Sequence, residues 1–179
     1  MNNASYIERV SQYKEYIDTH RKNVIKIFEV YGEELCNRLH INYKELAERL
    51  IDHDASKYSK EEFEGFRAYY YPTLEEEMDI ENKGLRKKQY DAAWLHHLRN
   101  NAHHPEFWMY MDESNKIHLT PMDHIHVAEM LLDWAAMGIF FKKTAYEYWF
   151  DNIHSKPLHP VTRDLVDSMI DIFKEDKHS

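Results

Sequence analysis

Apolar residues recur at steps of three and four along the first part of the chain. Ile17, Val24, Ile27, Phe28, Tyr31 and Leu35 share one stripe, the period of an amphipathic helix. His20 falls in a gap of that stripe, between Ile17 and Val24. A second helix is predicted to start after Asn42 and run through Leu46 and Leu50 toward His53. Ser59 followed by Glu62 has the form of a capping box. It predicts a third helix that buries Phe63, Phe66 and Tyr70 before Pro72 stops it. The acidic stretch from Thr73 to Gly84 reads as a loop with a short helical piece.

A fourth helix is predicted over Leu85–Asn101, with Tyr90, Ala93, Trp94, His97 and Leu98 inward and His96 pointing elsewhere. Pro105 ends this region and restrains His104 to extended backbone. Thr120, Pro121 and Asp123 look like a helix entry: a cap, a proline in first position, an acid in the first turn. The helix that follows carries His126, Glu129, Met130, Asp133 and Met137 on one face. A further helix is expected between Phe141 and Phe150, and a last one opened by Pro160. No alternating strand pattern competes, so the expectation is an all-α helical bundle of about six to seven helices.

Composition sharpens this reading. With 179 residues, 4 Gly and 5 Pro, the chain suits one helix-rich domain over residues 1–179. The single cysteine, Cys36, excludes a disulfide framework and fits a reducing cytoplasm. The longest apolar candidate, "MLLDWAAMGIFF", is interrupted by Asp133, so no membrane span is expected. A net charge of −9 argues against general nucleic-acid binding, which needs clustered cations to displace counterions. An apolar face left over on the last helix would fit a homodimer.

The 13 histidines are the anomaly. Metal-type ligands recur on faces that otherwise look buried: His20, His53–Asp54, His97, His103 and His104, then Asp133. Each has a plain alternative: His20 as a core histidine, Asp54 as a cap, Asp133 as a partner of Arg67 or Arg99. Together they point to a metal, because one helix cannot supply ligands from several directions to an octahedral ion. Two imidazoles and two carboxylates suit Mn²⁺, Fe²⁺, Co²⁺ or Ni²⁺, with Mg²⁺ also within reach, better than a closed thiolate zinc site. His97 with His103 or His104 would serve a second ion bridged by Asp54. Lys57 is placed to neutralise a substrate phosphate or to complement a helix end. Glu129, four residues before Asp133, reads first as a partner orienting a ligand histidine, then as a general base or half of a salt bridge.

"His, then His-Asp, then a second His region, then a distal Asp" resembles the HD-domain superfamily of metal-dependent phosphohydrolases. "HDASK" resembles its HD-x-x-K form, and "HRKNVIKIFEVYGEEL" its first histidine-bearing helix. "AWLHHLRNNAHHPEFW" and "EMLLDWAAM" also resemble a divergent, functionally uncharacterised bacterial and phage family of this general shape. The resemblance covers roughly His20 to Asp133, with the ligand core near residues 17–137. It implies one or two divalent ions and hydrolysis of a nucleotide or other small phosphate ester by metal-bound hydroxide. The superfamily also contains oxygenases that use two irons. A metal-stabilised protein that binds without catalysis is the third outcome, and a helical bundle with surface histidines the plainest one. The chain departs from the family at Ala55–Ser56, and "HHPEFW" stands where cyclic-dinucleotide phosphodiesterases carry Gly-Tyr-Pro.

Overall fold

Apolar stripes at a spacing of three and four, with few breakers, favour helices that satisfy the backbone within each segment over most of this chain. In the computed structural model, which describes residues 3–175, eight α-helices form. They are α1 (Asn3–Leu39), α2 (Tyr43–Ile51), α3 (Phe63–Tyr70), α4 (Leu74–Met78), α5 (Lys83–Asn100), α6 (His124–Phe141), α7 (Ala145–Asn152) and α8 (Pro160–Met169). Short 3-10 segments cover Ala55–Tyr58, Pro105–Trp108 and Ile170–Phe173. The described chain is all-α apart from one small hairpin, and no described helix is long and apolar enough to cross a membrane.

The residues divide into two compact units. The first joins the chain before His20 to Asp54–Asn101; the second joins His20–His53 to the chain from Ala102 onward. Helix α1 supplies residues to both.

In the first unit, Tyr13 and Ile17 of α1 share a buried cluster with Phe66 of α3 and Ala93 of α5. Tyr16, Phe63, Tyr71 and Tyr90 pack against it. Gly65 permits α3 to approach α5: a Cβ there would lie 2.7 Å from the Gln89 carbonyl oxygen and 2.8 Å from Ala93 Cβ. The Ser59–Glu62 capping box does not form, and α3 starts four residues after Ser59, at Phe63. The reason is chemical: the Glu62 carboxylate is drawn to two histidines of α5. Tyr70 and Trp94 are exposed rather than inward. A complete capping box, Thr73 with Glu76, opens α4 in the segment read as loop.

The second unit holds the larger core. The stripe Val24, Ile27, Phe28, Tyr31 and Leu35 packs with Leu46 and Leu50, with the middle of α6, and with Trp149, Val166 and Phe173. Burying each such leucine is worth roughly 1.5–3 kcal/mol. Asn42 caps α2 by accepting from the Glu45 N–H, and Thr144 and Glu147 form a capping box on α7. Pro160 opens α8 as expected.

Strands β1 (Met109–Met111) and β2 (Ile117–Leu119) pair antiparallel, Tyr110 opposite His118. Three residues are too few to display an alternating pattern. This hairpin also claims Thr120, whose N–H and hydroxyl both donate to the Trp108 carbonyl. Helix α6 therefore begins later, at His124, behind Asp123.

Candidate metal centre

In the second unit, α1, the turn after α2, the turn before Pro105 and α6 bring five polar side chains into the protein interior. His20 and His53 are 1 % exposed, His103 and Glu129 2 %. The Asp133 side chain, at 14 %, is the most open of them. Burying such groups is costly unless each finds a partner.

Glu129 organises the centre. Its Oε1 accepts from His53 Nδ1 at 2.9 Å and lies 3.3 Å from His103 Nδ1. Its Oε2 accepts from Arg49 Nε. Burial would raise this carboxyl, but the hydrogen bonds from His103 and His53 outweigh it and hold Glu129 well below the usual carboxylate range. With the Nδ1 proton committed to Glu129, a neutral His53 presents its Nε2 lone pair on the opposite side of the ring.

That Nε2 lies 3.2 Å from His20 Nε2 and 3.6 Å from Asp133 Oδ1, and His20 Nε2 lies 3.1 Å from the same oxygen. Burial would raise Asp133 too, yet the neighbouring imidazoles of His20 and His53 keep it well below its ordinary value. Three ligand-type atoms thus form a triangle. Ligands ~2.1 Å from a common ion are about 3.0 Å apart at right angles and about 3.4 Å apart at the tetrahedral angle. The observed edges, 3.1, 3.2 and 3.6 Å, run from just above the first value to just above the second. A single proton can satisfy only one edge of the triangle, whereas a cation satisfies all three. The donor set, two imidazoles and one carboxylate, fits a divalent transition ion, and His20, His53 and Asp133 are the residues that could hold it.

His104 lies beside His103, ring centroids 4.3 Å apart, and is only half-buried. His103 is therefore the inward member of the pair. His104 keeps the extended backbone expected before Pro105, with φ −85° and ψ 130°. His126, on the same helix as Glu129, has its pKa lowered, first by burial and then by the neighbouring Arg49 cation.

The first unit carries a second polar cluster. Asp54 sits at φ 56°, left-handed backbone that aspartate tolerates better than most residues. The turn places its carboxylate 2.6 Å from Lys57 Nζ and 3.4 Å from His97 Nε2. Glu62, fully buried, bridges His96 Nδ1 at 2.7 Å and His97 Nδ1 at 2.9 Å. Asn101 donates to Ser56 Oγ and to the His97 carbonyl. Burial pushes the Glu62 carboxyl up, but its bonds to His97 and His96 win and lower it.

Several expectations change in detail. His53 and Asp54 lie on a turn beyond α2, not on the helix itself. Lys57 is engaged by Asp54 rather than held out toward a ligand, and its side chain is 15 % exposed. Arg67 pairs with Glu64 and Glu76 in its own unit. His96 turns toward Glu62. Sequence reasoning missed Glu62 and Arg49 altogether. In the sequence Glu62 reads as part of a helix cap, and Arg49 meets a partner 80 residues away, which no local pattern announces.

No curated protein and no solved structure matches the chain. One family model does, over residues 9–172, and the chain accordingly belongs to the family described as "Family of unknown function (DUF5662)".

Proposed function

We propose that this chain is a metal-dependent phosphohydrolase acting on a nucleotide or similar small phosphate ester, with a divalent transition ion held by His20, His53 and Asp133. The observation that carries the reading is the triangle of His20 Nε2, His53 Nε2 and Asp133 Oδ1, with Glu129 fixing the His53 tautomer. The reaction class draws on the resemblance to HD-domain enzymes at the same His, His-Asp and Asp positions. When bound, the ion would supply Lewis acidity toward a phosphoryl oxygen and acidify a water molecule. The chain's own residues do the rest. Glu129 holds the protons on His53 and His103 at Nδ1, Arg49 pairs with the other oxygen of Glu129, and Lys57 pairs with Asp54. The single cysteine, buried and free of any disulfide, supports a cytoplasmic setting.

The test is phosphate release from a panel of nucleoside monophosphates and p-nitrophenyl phosphate by protein loaded with Mn²⁺, Fe²⁺, Co²⁺ or Ni²⁺. Release that needs metal and disappears in His20→Ala and Asp133→Asn, with the helical spectrum retained, is the expected result. Metal-loaded wild type that releases phosphate from no ester defeats the hydrolase reading. A second reading rests on the donor set itself, since two histidines and one carboxylate are also used by Fe(II) oxygenases. It predicts bound iron and oxygen uptake in place of phosphate release.

A further inference from the structure

An anionic substrate approaching a chain of net charge −9 needs a local cation to receive it. Lys57, the residue the sequence offers for this, has its ammonium on Asp54. The second unit contains another. Arg49 lies on α2, and its Nε donates to Glu129 Oε2, the far oxygen of the carboxylate that holds His53. That bond uses one of the five guanidinium donors. Among the described residues no hydrogen bond takes up the terminal Nη atoms, and the Arg49 side chain is 34 % exposed while Glu129 is 3 %. The guanidinium is thus anchored by its inner nitrogen on a side chain that stays about a third exposed.

We infer that Arg49 is the anion-recognition residue of this centre, its two terminal nitrogens receiving a pair of oxygens from the phosphoryl group of the ligand. The inference rests on the functional reading above and names the group that reads its substrate class. Three features support it. The fork matches two oxygens of a phosphate or carboxylate in one plane. The bond to Glu129 fixes that plane before a ligand arrives, which lowers the ordering cost of binding. The same carboxylate joins the fork to His53, so the anion and the candidate metal ligands share one hydrogen-bonded frame.

The experiment titrates inorganic phosphate, and acetate in parallel, into metal-free and Mn²⁺-loaded protein by calorimetry, with Mn content measured for each sample. Arg49→Gln keeps an amide donor for Glu129 while removing the charge and the fork. Arg49→Lys keeps the charge alone and covers the case in which the glutamine variant fails to fold. Wild type should bind phosphate, Arg49→Gln should weaken it about 10-fold or more, and Arg49→Lys should fall between. Equal phosphate affinity in wild type and either folded variant overturns the inference, as does wild type that binds no phosphate with or without Mn²⁺. Acetate bound more tightly than phosphate, with the same loss in Arg49→Gln, upholds the fork but assigns it to a carboxylate. The two readings fail separately. Arg49-dependent phosphate binding without Mn²⁺ uptake leaves the inference standing and removes the metal. Mn²⁺ uptake with Arg49-independent phosphate binding does the reverse.

Discussion

Replacing Glu129 by glutamine tests how much of the centre hangs on one carboxylate. Three donors converge on it: His53 Nδ1, His103 Nδ1 and Arg49 Nε. A glutamine at that position has one carbonyl oxygen and one NH₂. If the oxygen stays with Arg49, the NH₂ faces His53 Nδ1, and His53 must move its proton to Nε2. That proton would then point at His20 Nε2 and Asp133 Oδ1, 3.2 and 3.6 Å away, where the lone pair is needed. If the oxygen turns to the histidines instead, the NH₂ opposes the Arg49 N–H, donor against donor.

Either arrangement loses at least one charge-assisted hydrogen bond in a site that is 2 % exposed, a cost of about 1.5–3 kcal/mol in stability. Loss of a group that orients a metal-binding histidine costs about 10–100-fold in metal affinity. The assays are chelator competition with Mn²⁺ or Co²⁺ and urea unfolding of the metal-free protein. Glu129→Gln with metal affinity within about threefold of wild type, and stability within about 0.5 kcal/mol, would refute the reasoning.

Three further outcomes follow from the geometry. Gly65→Val should destabilise by about 1–3 kcal/mol in denaturant unfolding, because the obstruction includes the Gln89 backbone oxygen; an unchanged midpoint would mean α3 and α5 do not pack as described. Lys57→Met should cost about 3 kcal/mol by leaving Asp54, 2 % exposed, without its ammonium partner; a stability-neutral substitution would deny the lysine that structural role. Asp112 should titrate at about 2 in a carbon-detected NMR experiment, because the Ser114 hydroxyl, His118 and the Lys116 N–H favour its ionised form. Its folded value lies below the ordinary 3.8, so its stabilisation is complete above 3.8 and fades as pH falls toward about 2. Asp112→Asn should remove that part of the acid slope, and a titration near 3.8 would contradict the hairpin contacts.

The helical architecture was legible because its signal is local. The stripe from Ile17 to Leu35 is buried at every predicted position, and His20, set in its gap, is buried with it. The same logic placed Glu129 and Asp133 on one inward face of α6. What local pattern cannot supply is the identity of a buried polar group's partner. Arg49–Glu129 and Glu62–His97 are joined across 80 and 35 residues, and neither arginine nor glutamate announces such a contact by its neighbours. The failed caps have the same origin. Ser59–Glu62 and Thr120–Asp123 have the right residues at the right spacing, but Glu62 binds histidines and Thr120 closes a hairpin. Tertiary hydrogen bonds overrode local ones in both cases. Between His103 and His104 the sequence could not choose, and burial does.

The central claim is that His20, His53 and Asp133 hold a divalent ion, and metal content measures it most directly. Purified protein, incubated with Mn²⁺, Fe²⁺, Co²⁺ or Ni²⁺ and desalted, would be analysed by mass spectrometry for metal beside His20→Ala, His53→Ala and Asp133→Ala. The account predicts near-stoichiometric metal in wild type, lost in each variant, and released from wild type in acid, where protons compete for the imidazole nitrogens. Wild type that retains none of these ions, or variants that retain them as wild type does, would contradict it.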